Sequence, residues 1–391
     1  MARSIFSTWR TMRIATAELY ELTLPLLEPF VISGGAITER RSLIVTLTDE
    51  QGRTGYGEAP PFELPFYSEE TLASARDLIT RVLIPRVVGR EFADPEALDA
   101  VLRAGVRGNP FARSALDTAA WDLEAHQKNT GCAALLAEQL QVPVHTSVPC
   151  GVALGIPDDR RLETLSRRIY AALELGYTRV KIKVMPGWDA AAVAAARDAM
   201  RGATGIPLTV DANGAYEWPA HEPNLRALDD AGLLYIEQPL APDELVGHAR
   251  LGERLRTPIC LDETLKSVVV ARQVVELGGP LVWNIKVHRV GGLTEVCRIY
   301  QVAVAAGAKL WAGTMPESGI GSQAPLAVAA LPAFVYPSDL EPSSRWYGRD
   351  VDVAKLVMGR DGRMAVPDQC TARLLDRRRF AAAARCIGKW P

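Results

Sequence analysis

The sequence has no long hydrophobic run, no concentrated charge and few histidines. No apolar stretch approaches the ~20 residues that a bilayer-spanning helix needs, so a transmembrane helix is not expected. Lys and Arg number 44 against 46 Asp and Glu, a formal net charge of -2, and neither sign forms a block. Neither nucleic acid nor an anionic membrane is therefore expected as a partner. There are five histidines and no HxxxH, which argues against a histidine-rich metal centre. Six cysteines (Cys132, Cys150, Cys260, Cys297, Cys370, Cys386) lie far apart without a CxxC pair. They read as reduced, mostly buried thiols of a cytoplasmic protein. Met1–Thr11 lacks an apolar signal core and reads as an extension. The strand-like pattern, and with it the expected natural start, begins near Met12.

What is present is 391 residues, a length that suits a barrel with a second domain. Two textures divide the chain. From Met12 to Gln141, strands come first and helices after. Arg13–Leu26, Arg41–Asp49 and Arg53–Glu58 read as antiparallel strands with a turn at Asp49–Gly52. Ser68, followed by Glu69 and Glu70, predicts a helix start, and Ala112–Lys128 a second helix. This is an α+β pattern.

From Ser147 to Leu340 the chain alternates. Apolar runs occur at Val148–Ala153, Arg179–Val184, Pro207–Asp211, Leu233–Glu237, Pro258–Asp262, Val282–Lys286 and Lys309–Ala312, with a weaker eighth at Ala333–Tyr336. Amphipathic stretches separate them, several ending on glycine: Gly176, Gly232, Gly278 and Gly307. Repeated strand–helix units of this length predict parallel strands, and about eight of them a closed barrel. An open doubly wound sheet is the alternative.

Five of the runs carry an ionisable residue at or near their C-terminal end: Lys183, Asp211, Glu237, Asp262 and Lys286. The separations are 211−183 = 28, 237−211 = 26, 262−237 = 25 and 286−262 = 24. Side chains alternate across a strand. The apolar neighbours Ile182, Val210, Ile236, Leu261 and Ile285 should therefore face the helices, and the charges the barrel mouth, with Lys181 facing inward beside Lys183. C-terminal strand ends are where barrel active sites are built. A structural ion-pair network is the plainer reading. Three neighbouring carboxylates repel, however, by about 4 kcal/mol per pair at ~4 Å and an effective dielectric of about 20. A hard, oxygen-seeking cation such as Mg2+ relieves that, with Mn2+ a substitute, which predicts Asp211, Glu237 and Asp262 as ligands. Glu263 should point away and support the site rather than ligate. A lysine near a divalent cation in a partly dry pocket has its pKa lowered and can act as a base. Lys183 and Lys286 flank the acids in strand order and are the candidate acid/base pair. Lys181 either tunes Lys183 or pairs with a carboxylate.

At these positions the chain resembles the enolase superfamily, muconate lactonizing subgroup. The matching motifs are Lys181-Ile182-Lys183, Asp211-Ala212-Asn213, Ile236-Glu237-Gln238-Pro239, Leu261-Asp262-Glu263-Thr264 and Lys286-Val287-His288-Arg289-Val290-Gly291-Gly292. The resemblance runs from about Met12 to Pro367. It implies a (β/α)7β TIM-type barrel over residues 142–345 with an α+β capping domain over 1–141, completed by about 346–391. It also implies Mg2+, a small carboxylate substrate, α-proton abstraction through an enediolate, and a homo-oligomer. Leu24–Arg40 and Pro60–Ser68 would be capping loops over the substrate, with Gly34-Gly35 as a hinge. Within the subgroup the chain is similar to o-succinylbenzoate synthases, which serve menaquinone biosynthesis, and to N-succinylamino acid racemases. Pro29-Phe30, Tyr67–Thr71, Arg107–Pro110 and Met315–Gly321 carry that similarity. The chain departs from it at Met315-Pro316-Glu317 and Gly321–Pro325, near the substrate. Asn213, Glu263, Arg289 and Glu317 are candidate supporting residues. Glu317 is either a partner for the pocket lysines or a loop acid, and Arg289 either assists Lys286 or starts a helix. Dipeptide epimerisation and muconate cycloisomerisation are the alternatives, with a non-catalytic carboxylate-binding protein more remote. Epimerases usually carry an Asp-x-Asp on the last active-site strand. Thr314–Glu317, taken as that stretch, lacks one.

Overall fold

A computed structural model describes residues 11–32, 35–348 and 356–391, with side chains 29–37 left aside. Most of the N-terminal extension and Gly34 of the proposed hinge thus lie outside the described residues. The chain begins with a meander: β1 (Met12–Ile32), β2 (Gly35–Asp49) and β3 (Thr54–Ala59) pair antiparallel. Alternation drives it, with Leu43, Val45 and Leu47 of β2 buried in one cluster and Ile44 in another. The Leu24–Arg40 stretch, expected as a loop, is largely ladder. Leu24 pairs Arg40 and Phe30 pairs Ile37, so the β1–β2 hairpin extends as a ribbon.

Helix α1 (Leu72–Leu78) starts four residues later than Ser68 suggests. Thr71 and Ser74 form a reciprocal capping box there. Glu70 is used elsewhere. Its carboxylate accepts from Phe111 N at 2.8 Å and Ala112 N at 2.7 Å, the N-terminus of another helix. A short β4 (Glu91–Phe92) pairs β1, and α2 (Pro95–Arg103), α3 (Pro110–Lys128) and α4 (Cys132–Leu140) follow. Helix α3 lies directly on β3, because Gly55 and Gly57 leave no side chain between them. A Cβ at Gly57 would overlap the Ala115 carbonyl oxygen and the Thr118 hydroxyl. Gly57→Ala should therefore destabilise the protein by about 3 kcal/mol through overpacking against backbone, read as a lower urea midpoint at unchanged slope.

The alternating half begins with β5 (Ser147–Pro149), which the sequence pattern merged with β6 (Gly151–Leu154). The chain then runs α5 (Leu162–Glu174), β7 (Arg179–Lys183), α6 (Asp189–Ala199), β8 (Leu208–Asp211), α7 (Glu222–Asp229), β9 (Ile236–Glu237), α8 (Leu245–Gly252), β10 (Ile259–Leu261), α9 (Val268–Glu276), β11 (Val282–Ile285), α10 (Val287–Val290), α11 (Leu293–Ala306), β12 (Lys309–Ala312) and α12 (Gln323–Ala329). Strands β6 to β12 form one parallel sheet in sequence order. The eighth run is not a full strand. Single bridges join Leu310 to Phe334 and Cys150 to Ser338. Asp339 N also donates to Ala312 O at 2.9 Å and Gly151 N to Ser338 O at 2.7 Å. One segment thus touches both edges of the sheet and closes the ring. The outward set (Ile182, Val210, Ile236, Leu261, Ile285) is buried in the main core, as alternation predicts.

The chain ends with α13 (Ser343–Trp346), β13 (Arg363–Ala365) on β5, α14 (Thr371–Leu374), α15 (Arg377–Ala383) and β14 (Ala384–Trp390). Strand β14 pairs β1 and completes the antiparallel sheet. Helix α3 ties that sheet to the barrel: Trp121 Nε1 donates to Thr294 Oγ1 at 2.9 Å. None of the described cysteines is paired in a disulfide, and among the described residues no helix is long and apolar enough to cross a membrane.

Candidate active site

The ends of consecutive strands bring the predicted residues together. Asp211 on β8, Glu237 on β9 and Asp262 just after β10 are each almost wholly buried. One oxygen from each lies within 4.8 Å of the others. Burial and the nearby Asp211 push the Glu237 carboxyl up to about 8. Burial also opposes ionisation of Asp262, but Arg289 and Lys286 outweigh it and hold that carboxyl well below its ordinary range. Asp262 Oδ2 takes no aligned hydrogen bond, although Lys286 Nζ is 2.9 Å away. A buried, oxygen-only cluster of three acids with one carboxylate pushed up suits a small hard dication.

Two rare backbone conformations shape this rim. Gln238 has φ 38° directly after Glu237, and Asn213 has φ 43° two residues after Asp211. Such conformations cost about 1–3 kcal/mol for a residue with a side chain and persist where the surroundings enforce them. The Gln238 turn lets its Oε1 accept from Asp262 N at 3.0 Å and Thr264 N at 3.2 Å, pinning one acid's loop to its neighbour's. Asn213 links two other groups: its Oδ1 accepts from Lys183 Nζ at 2.6 Å and its Nδ2 donates to Glu263 at 2.8 Å. Glu263 thus supports through Asn213.

Lys183 also reaches Asp211 Oδ2 at 2.5 Å. Lys286 reaches Asp262 at 2.9 Å and the Tyr67 hydroxyl at 2.9 Å. Their strands, β7 and β11, stand four places apart around the ring, so the two amines approach the acids from opposite sides. Both line one cavity of about 270 Å³, with Asp211, Thr314, Glu341 and Arg345 among its walls. At Lys286 burial disfavours the charge, but Asp262 and Tyr67 outweigh that and hold the ammonium above its ordinary value while the carboxylates carry no dication. A dication on the same carboxylates would draw their charge away and remove that support.

Arg289 on α10 pairs with Asp262 and bonds Tyr67 Oη at 3.2 Å, so it is built into the acid cluster as well as into its helix. Glu317 does not partner the lysines. It accepts from Met315 N at 2.9 Å and faces His288 Nε2 at 3.7 Å. Lys181 is buried between carboxylates, 2.9 Å from Glu237 and 2.7 Å from Asp339.

Asp339 is the main residue that sequence reasoning missed, because the weak eighth run was ended at Tyr336. The strand-end spacing marks it: 339−286 = 53, two further units of the same period. The segment that closes the ring therefore continues into Asp339-Leu340-Glu341, both acids lining the cavity. Thr314–Glu317 follows β12 instead, so the argument drawn from that stretch against an acidic last strand fails.

Residues 164–370 match the family described as enolase C-terminal domain-like, and residues 15–137 the mandelate racemase / muconate lactonizing enzyme N-terminal domain. The chain belongs to the enolase superfamily. It is 43% identical over 357 residues to an N-succinylamino acid racemase of Thermus thermophilus, covering 91% of this chain and 93% of that one. It is 38% identical over 341 residues to an o-succinylbenzoate synthase of Bacillus subtilis, covering 87% and 88%. A solved enolase superfamily structure from Listeria innocua superposes with a TM-score of 0.88 at 32% identity, over 97% of this chain and 99% of that one. As an enolase superfamily chain it carries its acids and lysines on the barrel half and closes over them with the other: Tyr67 comes from the Pro60–Ser68 loop.

Proposed function

We propose that the protein abstracts a proton from the carbon next to a carboxylate, acting as an o-succinylbenzoate synthase, an N-succinylamino acid racemase, or both. One observation carries the reading: two lysines face one cavity from opposite sides of a buried three-carboxylate cluster. Asp211, Glu237 and Asp262 would hold Mg2+, with Mn2+ as a substitute. Such an ion supplies a grip on the substrate carboxylate and stabilises the charge that develops there as the α-proton leaves.

Lys183 takes the α-proton through Nζ, and Asn213 and Asp211 orient that amine. In a dehydration Lys183 then protonates the departing β-hydroxyl while cationic Lys286 faces the developing charge. In a racemisation Lys286 returns a proton from the other side. Tyr67 and Arg289 fix the position of Lys286 and Asp262, and Glu263 fixes Asn213. The likeness to an N-succinylamino acid racemase and to an o-succinylbenzoate synthase supports both outcomes on one constellation.

Dipeptide epimerisation is kept as a second reading on one observation, the Glu341 carboxylate on the cavity wall, one oxygen of which takes no hydrogen bond and has Arg345 Nε 3.7 Å away. One panel decides: N-succinylamino acids, the o-succinylbenzoate precursor, dipeptides and muconate, each with Mg2+ in deuterated water. Dehydration of the precursor or deuterium uptake into N-succinylamino acids is expected. Turnover of dipeptides alone, or of muconate alone, would replace the reading.

A further inference from the structure

Lys181 poses a problem for a metal-binding cluster. Its ammonium is buried, donates to Glu237 at 2.9 Å and stands 3.7 Å from Asp211, so it competes for two of the three carboxylates a cation would need. A monovalent group bonded to a ligand oxygen must give up that oxygen before a dication takes it. In a buried site it cannot turn to water, and needs another acceptor.

The structure supplies one such acceptor outside the cluster. Asp339 Oδ2 sits 2.7 Å from Lys181 Nζ, closer than either cluster oxygen. Its other oxygen is held by Arg179, whose Nε is fixed on Pro337 O at 3.0 Å. The face of Trp311 lies 4.5 Å from the same ammonium and 5.0 Å from the Arg179 guanidinium. Asp339 is thus anchored from behind and presents one carboxylate oxygen to Lys181. We propose that Asp339 is a positioning residue for the metal cluster: it retains the Lys181 ammonium, so that Glu237 and Asp211 are released to a divalent cation. Asparagine at 339 keeps the shape but loses the charge. Lys181 then leans on Glu237 and Asp211, and the cation must displace it from both.

This rests on the metal reading above, and the experiment separates the two. Mg2+ binding is measured calorimetrically, without substrate, on the wild type, Asp339→Asn, Lys181→Met and the double variant, with circular dichroism to confirm folding. The wild type should bind; no binding there would sink the metal reading itself. Asp339→Asn should raise the Mg2+ Kd by roughly tenfold or more. In the Lys181→Met background the same change should shift Kd by less than about twofold, because the competing ammonium is gone. A merely structural Asp339, needed only to satisfy Arg179, would lower affinity equally in both backgrounds. That result, or an Asp339→Asn Kd unchanged from wild type, overturns the proposal. If Asp339→Asn does not fold, Asp339→Ser is put through the same comparison: a loss of Mg2+ affinity that disappears in the Lys181→Met background supports the proposal, and an equal loss in both backgrounds, or none, overturns it.

Discussion

Lys183→Ala is expected to reduce α-proton exchange by at least about 10³-fold for the substrate isomer whose α-hydrogen faces β7, with the fold intact. Lys183 is partly open to the cavity, and both of its recorded partners, Asp211 and Asn213, orient the amine rather than occupy the space in front of it. Removing it leaves the acid cluster in place. Because Lys286 stands across the ring, exchange of the opposite isomer should persist in Lys183→Ala if the enzyme racemises, and Lys286→Ala should show the mirror pattern. The check is proton loss in deuterated water, followed by NMR for each enantiomer of an N-succinylamino acid. A synthase with no racemase activity should instead lose dehydration in either variant. Wild-type exchange of both isomers by Lys183→Ala would remove it from the mechanism.

The reason this site was legible from sequence is geometric. A parallel barrel places each strand end at one rim, and a unit of 24–28 residues repeats the placement, so regular charged positions along the chain become neighbours in space. The inward–outward alternation needed only the apolar residue beside each charge. What could not be read was anything that depends on where an irregular segment returns. Tyr67 reaches Lys286 from a loop with no periodicity. Asp339 follows an eighth strand reduced to two bridges, too little regular pattern to carry the strand reading to its end. Glu317 lies beyond the end of β12, where the backbone forms no regular element, so strand alternation no longer predicts its direction, and it faces His288. The helix start was misplaced for a related reason. Ser68, Glu69 and Glu70 look like an N-terminal cap in one dimension, but Glu70 caps a helix that begins forty residues further on.

Stripping divalent cations should abolish turnover, and the amount of Mg2+ needed to restore it should rise as pH falls. The carboxylates must be ionised to bind metal, and Glu237, whose ordinary value is 4.5, is pushed up to about 8 by burial and by Asp211. Below that value the cation must displace a proton as well as the Lys181 ammonium. The sign for stability follows from the same group. A carboxyl whose pKa is higher folded than unfolded binds more protons in the native state, so the metal-free protein loses stability as pH rises from about 4.5 to about 8. Saturating Mg2+ removes that penalty. At a hundredfold excess over Kd it should add about 2.7 kcal/mol, and the gain in melting temperature at fixed Mg2+ should be larger at alkaline than at acidic pH. Melts with chelator and with Mg2+ across that range test the cluster without reference to substrate, and activity with Mn2+ in its place tests the substitute ion. A melting temperature indifferent to both chelator and metal at alkaline pH would show that the three carboxylates are balanced by Lys181, Lys183, Lys286 and Arg289 alone.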